Sequence, residues 1–179
     1  MRYPYHIWPH AFDETVIDQI ISHAKTITGQ KAQLFSSSDS LSSWRSSTVR
    51  WLTAPWIAEL LLPFAEQANE SFNIDFEPQI EMQFTEYSAA EQGHYDWHHD
   101  VYWHGQSGQD RKLSITVQLS NSESYEGGDF EFEDIETNTD FRGKGSLLIF
   151  PSYLRHRVTT VTKGTRLSLV AWYSGPQWR

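Results

Sequence analysis

The stretch "GHYDWHHDVY", residues 93–102, holds two overlapping copies of one metal-ligand spacing: His94 with Asp96, and His98 with Asp100. Residues two apart on an extended strand point the same way, so either pair offers an imidazole and a carboxylate to one ion. A third ligand is available in "HRVTTVTKGTRLSLVAW", where His156 heads a run of strand character and Arg166 follows further along. Two histidines and one carboxylate can occupy one face of an octahedral ferrous ion and leave three positions for substrate and oxygen. Spacing alone does not choose between the two pairs, because a continuous strand turns all four side chains the same way.

The relation of His156 to Arg166 can be estimated. If Thr162, Lys163 and Gly164 form a three-residue loop with Gly164 left-handed, Val161 faces Thr165 and Thr160 faces Arg166. Arg166 then shares a face with His156 at roughly 13 Å, about four residues at 3.3 Å each, room for an imidazole, a metal, a short dicarboxylate and a guanidinium in line. Ser168 follows on the same face and can donate to the same carboxylate.

Stepping outward, the elements that must hold these residues are legible in periodicity. Asp13 is a candidate N-cap, after which Val16, Ile17, Ile20, Ile21 and Ala24 recur at helical spacing until Gly29. A second helix begins near Pro55, with Ile57, Leu60, Leu61, Phe64 and Ala68 on its apolar positions and Pro63 expected to kink or restart it. Between them the Ser-rich stretch 32–47 reads as a loop, and its Phe35, Leu41, Trp44 and Arg45 suit a lid. From Pro78 the period becomes two, and at least seven short strands separated by glycine turns predict an antiparallel sandwich or jelly roll. The strand "KLSITVQLS" alternates Leu113, Ile115, Val117 and Leu119 with Ser114, Thr116 and Gln118, so one face is polar and can line a cavity as well as meet solvent.

The chain has 179 residues, the size of one domain, and we expect a single domain over 1–179. A formal charge of −9 leaves no basic stripe for general nucleic-acid or anionic-membrane binding. With no cysteine, a thiolate metal site or a cysteine nucleophile is excluded. The N-terminal stretch lacks a signal-peptide pattern and no segment has the length of a membrane span, so the expectation is a soluble cytoplasmic protein. Eight Trp suit a small core or a cleft with flat walls.

Taken together, the Tyr87 region, "GHYDWHHD", "YEGGDFEFE" and "GSLLIFPSYLRHRVTTVTKGTRLSLVAW", in that order over 81–172, resemble the Fe(II)/2-oxoglutarate-dependent dioxygenases, in the branch of the prolyl 4-hydroxylase catalytic domain. The resemblance implies an α+β protein, a double-stranded β-helix (a cupin-like jelly roll) over about 78–174 with the helices of about 1–76 packed outside. It places the metal ligands at His98, Asp100 and His156, with Tyr95 three residues ahead of His98, and so selects the second copy of the repeated spacing. Arg166, where core prolyl hydroxylases often have lysine, falls at the position that holds the far carboxylate of 2-oxoglutarate, with Ser168 beside it. An arginine offers that carboxylate a planar fork. Tyr87 falls where relatives place a phenol against the co-substrate.

The implied reaction uses Fe(II), dioxygen and 2-oxoglutarate, with ascorbate admitted as an accompanying reductant. It couples oxidative decarboxylation to hydroxylation of a substrate carbon, in a prolyl or other residue of a peptide. The competing readings are a cupin-like metalloprotein that does not use 2-oxoglutarate, a small-metabolite hydroxylase, and a metal-free binding module. Arg166 with Ser168 argues against the first of these, which has no need of a carboxylate clamp. The complete set His98, Asp100 and His156 argues against the last.

Overall fold

The structure, a computed structural model, describes residues 4–32, 44–103, 108–136 and 139–179. Residues 33–43, most of the expected lid, lie outside the described residues. Helix α1 (Glu14–Lys25) starts where Asp13 accepts a hydrogen bond from the Val16 N–H at 3.0 Å, the expected N-cap. It ends at Thr26, before Gly29, because the Thr26 N–H and hydroxyl both turn back to the His23 carbonyl and close the last turn. Helix α2 (Pro55–Phe72) contains Pro63 yet runs on without a break. Pro63 lies on its exposed side, where the freed carbonyl can meet water, while Ile57, Leu61, Ala65 and Ala68 stay packed on the buried side.

The strands in chain order are β1 (His6–Trp8), β2 (Gln30–Lys31), β3 (Arg45–Ser46), β4 (Thr48–Leu52), β5 (Ile80–Ser88), β6 (His94–His98), β7 (Gln109–Gln118), β8 (Tyr125–Gly127), β9 (Phe130–Phe132), β10 (Leu147–Pro151), β11 (His156–Val158) and β12 (Val161–Pro176). They form two antiparallel sheets. The larger has the order β1-β10-β7-β12-β5-β4-β2, with β8 on the end of β12; the smaller has the order β3-β6-β11-β9. The alternation in β7 sorts its two faces. Leu113, Ile115, Val117 and Leu119 join one buried cluster with Ile17 and Ile20 of α1 and Ile57 and Leu61 of α2. Ser114, Thr116 and Gln118 face the other way and are buried as well, so the polar face lines the interior between the sheets. β12 follows the same rule, with Leu167, Leu169 and Ala171 toward the helices and Arg166, Ser168 and Val170 toward the cavity.

The expected hairpin between His156 and Arg166 is not formed. β11 pairs with β6 and β9 in the smaller sheet, whereas β12 begins by pairing with β8, Val161 opposite Gly127 and Gly164 opposite Tyr125. Gly164 does adopt the left-handed conformation (φ 70°), but opposite Tyr125 of β8, where a Cβ would run into the Ser124 carbonyl oxygen. His156 and Arg166 therefore approach the cavity from opposite sheets. Their 13 Å separation along one sheet has no counterpart here.

Candidate metal centre and cavity

His98 closes β6 and His156 opens β11, and the two are direct partners in the ladder. Each ring is oriented from behind: His98 Nδ1 lies 2.7 Å from the Asp96 carbonyl, and His156 Nδ1 lies 2.8 Å from the Leu154 carbonyl. A carbonyl only accepts, so each Nδ1 carries a proton, and it is each ring's Nε2 that is turned toward Asp100. Between those nitrogens lies Asp100, with His98 Nε2 3.7 Å from Oδ1 and His156 Nε2 3.6 Å from Oδ2. These gaps are too long for direct hydrogen bonds, and the three donor atoms lie within 4.8 Å of one another.

Asp100 is held from two directions. Its N–H donates to the Ser152 carbonyl at 3.0 Å, and its Oδ2 accepts from the Ser114 hydroxyl at 2.6 Å. Ser114 in turn lies 2.9 Å from the Ser152 hydroxyl, and both serines are fully buried. Burial opposes ionisation of Asp100, but His156, His98, Arg111 and the Ser114 hydrogen bond outweigh it and hold the carboxyl down at about 2. Burial, reinforced by the neighbouring His156, pushes the His98 pKa well below the usual imidazole range. His98 is thus neutral and its contact with Asp100 is no ion pair. Two imidazoles and one carboxylate whose donor atoms converge are a set suited to a divalent first-row metal such as Fe(II).

The second copy of the spacing is separated from the first by the backbone. The ladder pairs Val158 with Tyr95 and His156 with His98, so Asp96 and Trp97 both stand against the single residue Arg157. This bulge breaks the alternation of β6. Tyr95 and His98 both turn into the cavity, while Asp96 is exposed and its carboxylate accepts from the Trp97 N–H at 2.7 Å. His94 turns to the Gln92 carbonyl at 2.7 Å. Aromatic rings wall both imidazoles: Tyr95 stacks on His98 at 3.4 Å between centroids, and Phe130 stacks on His156 at 5.2 Å. Burial raises the Tyr95 phenol to about 12 against the opposing charge of Arg45, whose guanidinium lies 4.3 Å over its ring.

Arg166 enters from β12 opposite Tyr87 of β5, 2% exposed, with its guanidinium 5.7 Å over the Tyr87 ring. It forms no ion pair within the described residues. The Ser168 hydroxyl is buried with no hydrogen-bond partner. Ser168, Arg166 and Tyr87 line a cavity of about 360 Å³ that also takes in His98, Asp100 and His156. Among the described residues this leaves a buried guanidinium without a carboxylate and a hydroxyl without a partner, groups with the chemistry to take an anion.

Sequence reasoning did not single out Ser114 and Ser152 for the Asp100 carboxylate, although the polar face of β7 was a signal for Ser114. Arg45, Arg111 and Trp172 also line the cavity, with the Arg111 guanidinium 3.8 Å over the Trp172 ring. None of these carries a motif of its own.

The sequence profile of the 2OG-Fe(II) oxygenase superfamily matches residues 82–174. A PKHD-type hydroxylase of Crocosphaera subtropica is 31% identical over 169 residues, 88% of this chain and 71% of that protein. One from Idiomarina loihiensis is 41% identical over 61 residues, 34% of this chain and 28% of that protein. Among solved structures, a Pseudomonas putida prolyl-4-hydroxylase superposes with a TM-score of 0.75 at 16% identity, over 96% of this chain and 92% of that one. A prolyl hydroxylase of Trichoplax adhaerens, in complex with a hypoxia inducible factor peptide fragment, gives 0.73 at 14% identity over 95% and 83%. These two likenesses establish a shared jelly-roll fold of mostly antiparallel sheets. The profile and the long alignment establish more: the chain belongs to the 2OG-Fe(II) oxygenase superfamily and is a 2-oxoglutarate-dependent hydroxylase.

Proposed function

We propose that His98, Asp100 and His156 hold Fe(II), that Arg166 and Ser168 take the far carboxylate of 2-oxoglutarate, and that the cavity hydroxylates a carbon of a peptidyl substrate, a prolyl residue first among candidates. The observation that carries this reading is the buried Arg166, with no ion pair among the described residues, sharing one cavity with the imidazoles of His98 and His156 and the ionised carboxylate of Asp100. Fe(II), when bound, supplies the oxidative decarboxylation that converts 2-oxoglutarate and dioxygen to succinate, carbon dioxide and the hydroxylated product. The chain's own residues prepare that chemistry. The Asp96 and Leu154 carbonyls keep the Nδ1 protons away from the lone pairs, and Ser114 keeps Asp100 oriented and charged. Arg166 fixes one end of the co-substrate so that its other end addresses the metal, with Tyr87 as a wall beneath the guanidinium. The rings of Tyr95, Phe130 and Phe150 keep water from the imidazoles.

The peptidyl substrate is supported by two neighbours of the same fold, a prolyl-4-hydroxylase and a prolyl hydroxylase that holds a peptide fragment. A small-metabolite substrate is the second reading and rests on the same cavity. Ascorbate belongs to this proposal only as an accompanying reductant. So does the organisation of 1–179 as one domain, with α1 and α2 as an outer layer that stiffens the larger sheet. Among the described residues no helix is long and apolar enough to cross a membrane.

Succinate formed per enzyme against 2-oxoglutarate concentration tests the assignment. Removing one partner of a buried charge pair costs about 2–5 kcal/mol, and about 1.4 kcal/mol is tenfold. Arg166→Ala is expected to raise the co-substrate requirement by two orders of magnitude or more while leaving iron affinity nearly unchanged, and Arg166→Lys to fall between. Parental concentration dependence in Arg166→Ala would place the carboxylate clamp elsewhere in the cavity.

A further inference from the structure

Among the described residues, the arginine that faces the cavity has no acid to aim it. Its aim must come from what packs against its stem, and that surface is built by the turn at Gly127 and Gly128. Gly128 is left-handed (φ 63°), and a Cβ added there would stand 3.0 Å from Arg166 Cδ, 2.9 Å from Val161 Cγ2 and 3.4 Å from Tyr125 Cε2. The Arg166 stem therefore lies on bare backbone, closer than any other residue type allows. Tyr125 beside it is 3% exposed, pairs with Gly164 of β12, and accepts a hydrogen bond from Gln118 Nε2 at 2.5 Å. Gln118 is the ladder partner of Ser168. Neither Tyr125 nor Gln118 lines the cavity. From the far side, Arg142 donates to the Gly127 carbonyl at 3.2 Å, pairs with Asp129, and lays its guanidinium 4.7 Å over the Tyr125 ring.

We propose that Gly127 and Gly128, pinned by Arg142, form a back wall that positions Arg166 and thereby sets which length of dicarboxylate the cavity accepts. The inference rests on Arg166 being the carboxylate clamp. A long, rotatable side chain offers a planar fork to a ligand only if its stem is held, and here the hold is steric, not ionic. Moving the stem forward by a few tenths of an ångström shortens the space between guanidinium and metal ligands, and penalises a five-carbon 2-oxo diacid more than a four-carbon one.

The test is equilibrium binding to the Mn(II)-loaded protein, read by calorimetry without turnover. Parent, Gly128→Ala, Arg142→Gln and Arg166→Ala are titrated with 2-oxoglutarate and with oxaloacetate, and Mn(II) affinity is measured separately. Gly128→Ala is expected to weaken 2-oxoglutarate tenfold or more, with a several-fold fall in its preference over oxaloacetate and unchanged Mn(II) affinity. Arg142→Gln, which leaves the cavity wall's own atoms in place, is expected to weaken 2-oxoglutarate three- to tenfold in the same direction. It decides the matter if Gly128→Ala fails to fold. Parental affinity and an unaltered length preference in Arg142→Gln, and in Gly128→Ala where it folds, overturn the back wall. Parental 2-oxoglutarate affinity in Arg166→Ala overturns instead the clamp beneath it.

Discussion

Ser114→Ala takes away the hydroxyl that holds the Asp100 carboxylate and leaves every atom of the triad in place. In the parent, Ser114 Oγ is 2.6 Å from Asp100 Oδ2 and 2.9 Å from Ser152 Oγ, in a region closed to water. A hydrogen bond to a charged group contributes about 1.5–3 kcal/mol, and loss of an outer-shell partner of a metal ligand typically lowers affinity about 10- to 100-fold. At about 1.4 kcal/mol per tenfold the second range is about 1.4–2.8 kcal/mol, so a single hydrogen bond accounts for it. The carboxyl pKa should rise from about 2, yet remain acidic, because His156, His98 and Arg111 still favour the charge. We expect Ser114→Ala to bind Fe(II) or Mn(II) ten- to a hundredfold more weakly in anaerobic competition with a chelating dye. Ser152→Ala, which keeps the contact to Asp100, should change affinity by about threefold or less, since it removes only a neutral hydrogen bond. Metal affinity of Ser114→Ala within twofold of the parent, with the same melting behaviour, would refute the claim that this hydroxyl orients the carboxylate.

His98→Ala or Asp100→Ala should abolish tight metal binding in the same competition assay, whereas His94→Ala and Asp96→Ala should retain most of it; equal loss from both pairs would show that the bulge does not separate them. The metal-free protein should lose stability as the pH falls below about 6.5. The unfolded chain takes up a proton at His98 near 6.5 while burial delays this in the fold, so the folded state binds fewer protons and its stability rises with pH at up to about 1.4 kcal/mol per unit. Urea midpoints at pH 7.5 and 5.5, with His98→Asn expected to flatten the difference, check the sign. Asp100 acts the same way lower down, its contribution being lost as the pH falls from 3.8 toward about 2.

The helix starts were legible because their causes are local. Asp13 reaches a donor three residues ahead, and Pro55 needs no partner beyond its own fixed backbone angle. The change of period near residue 78 was legible for the same reason, and the family motifs carried the jelly roll and pointed to His98, Asp100 and His156, whose donor atoms lie within 4.8 Å of one another. Gly164 shows where local reading stops: its left-handed conformation was foreseen, but the strand opposite it, β8, lies some forty residues earlier in the chain. A sandwich puts strands that are adjacent in sequence into different sheets, so a hairpin drawn from neighbours alone misplaced Arg166 relative to His156. Ser114 and Ser152 meet at Asp100 from two strands, and no spacing within either one announces it. The repeated His-x-Asp motif is the clearest division. The residue types and their two-residue spacing made both pairs chemically competent. Which pair faces inward was settled by one extra residue of β6 set against Arg157, a bulge that depends on how β6 and β11 come into register and on nothing within the motif.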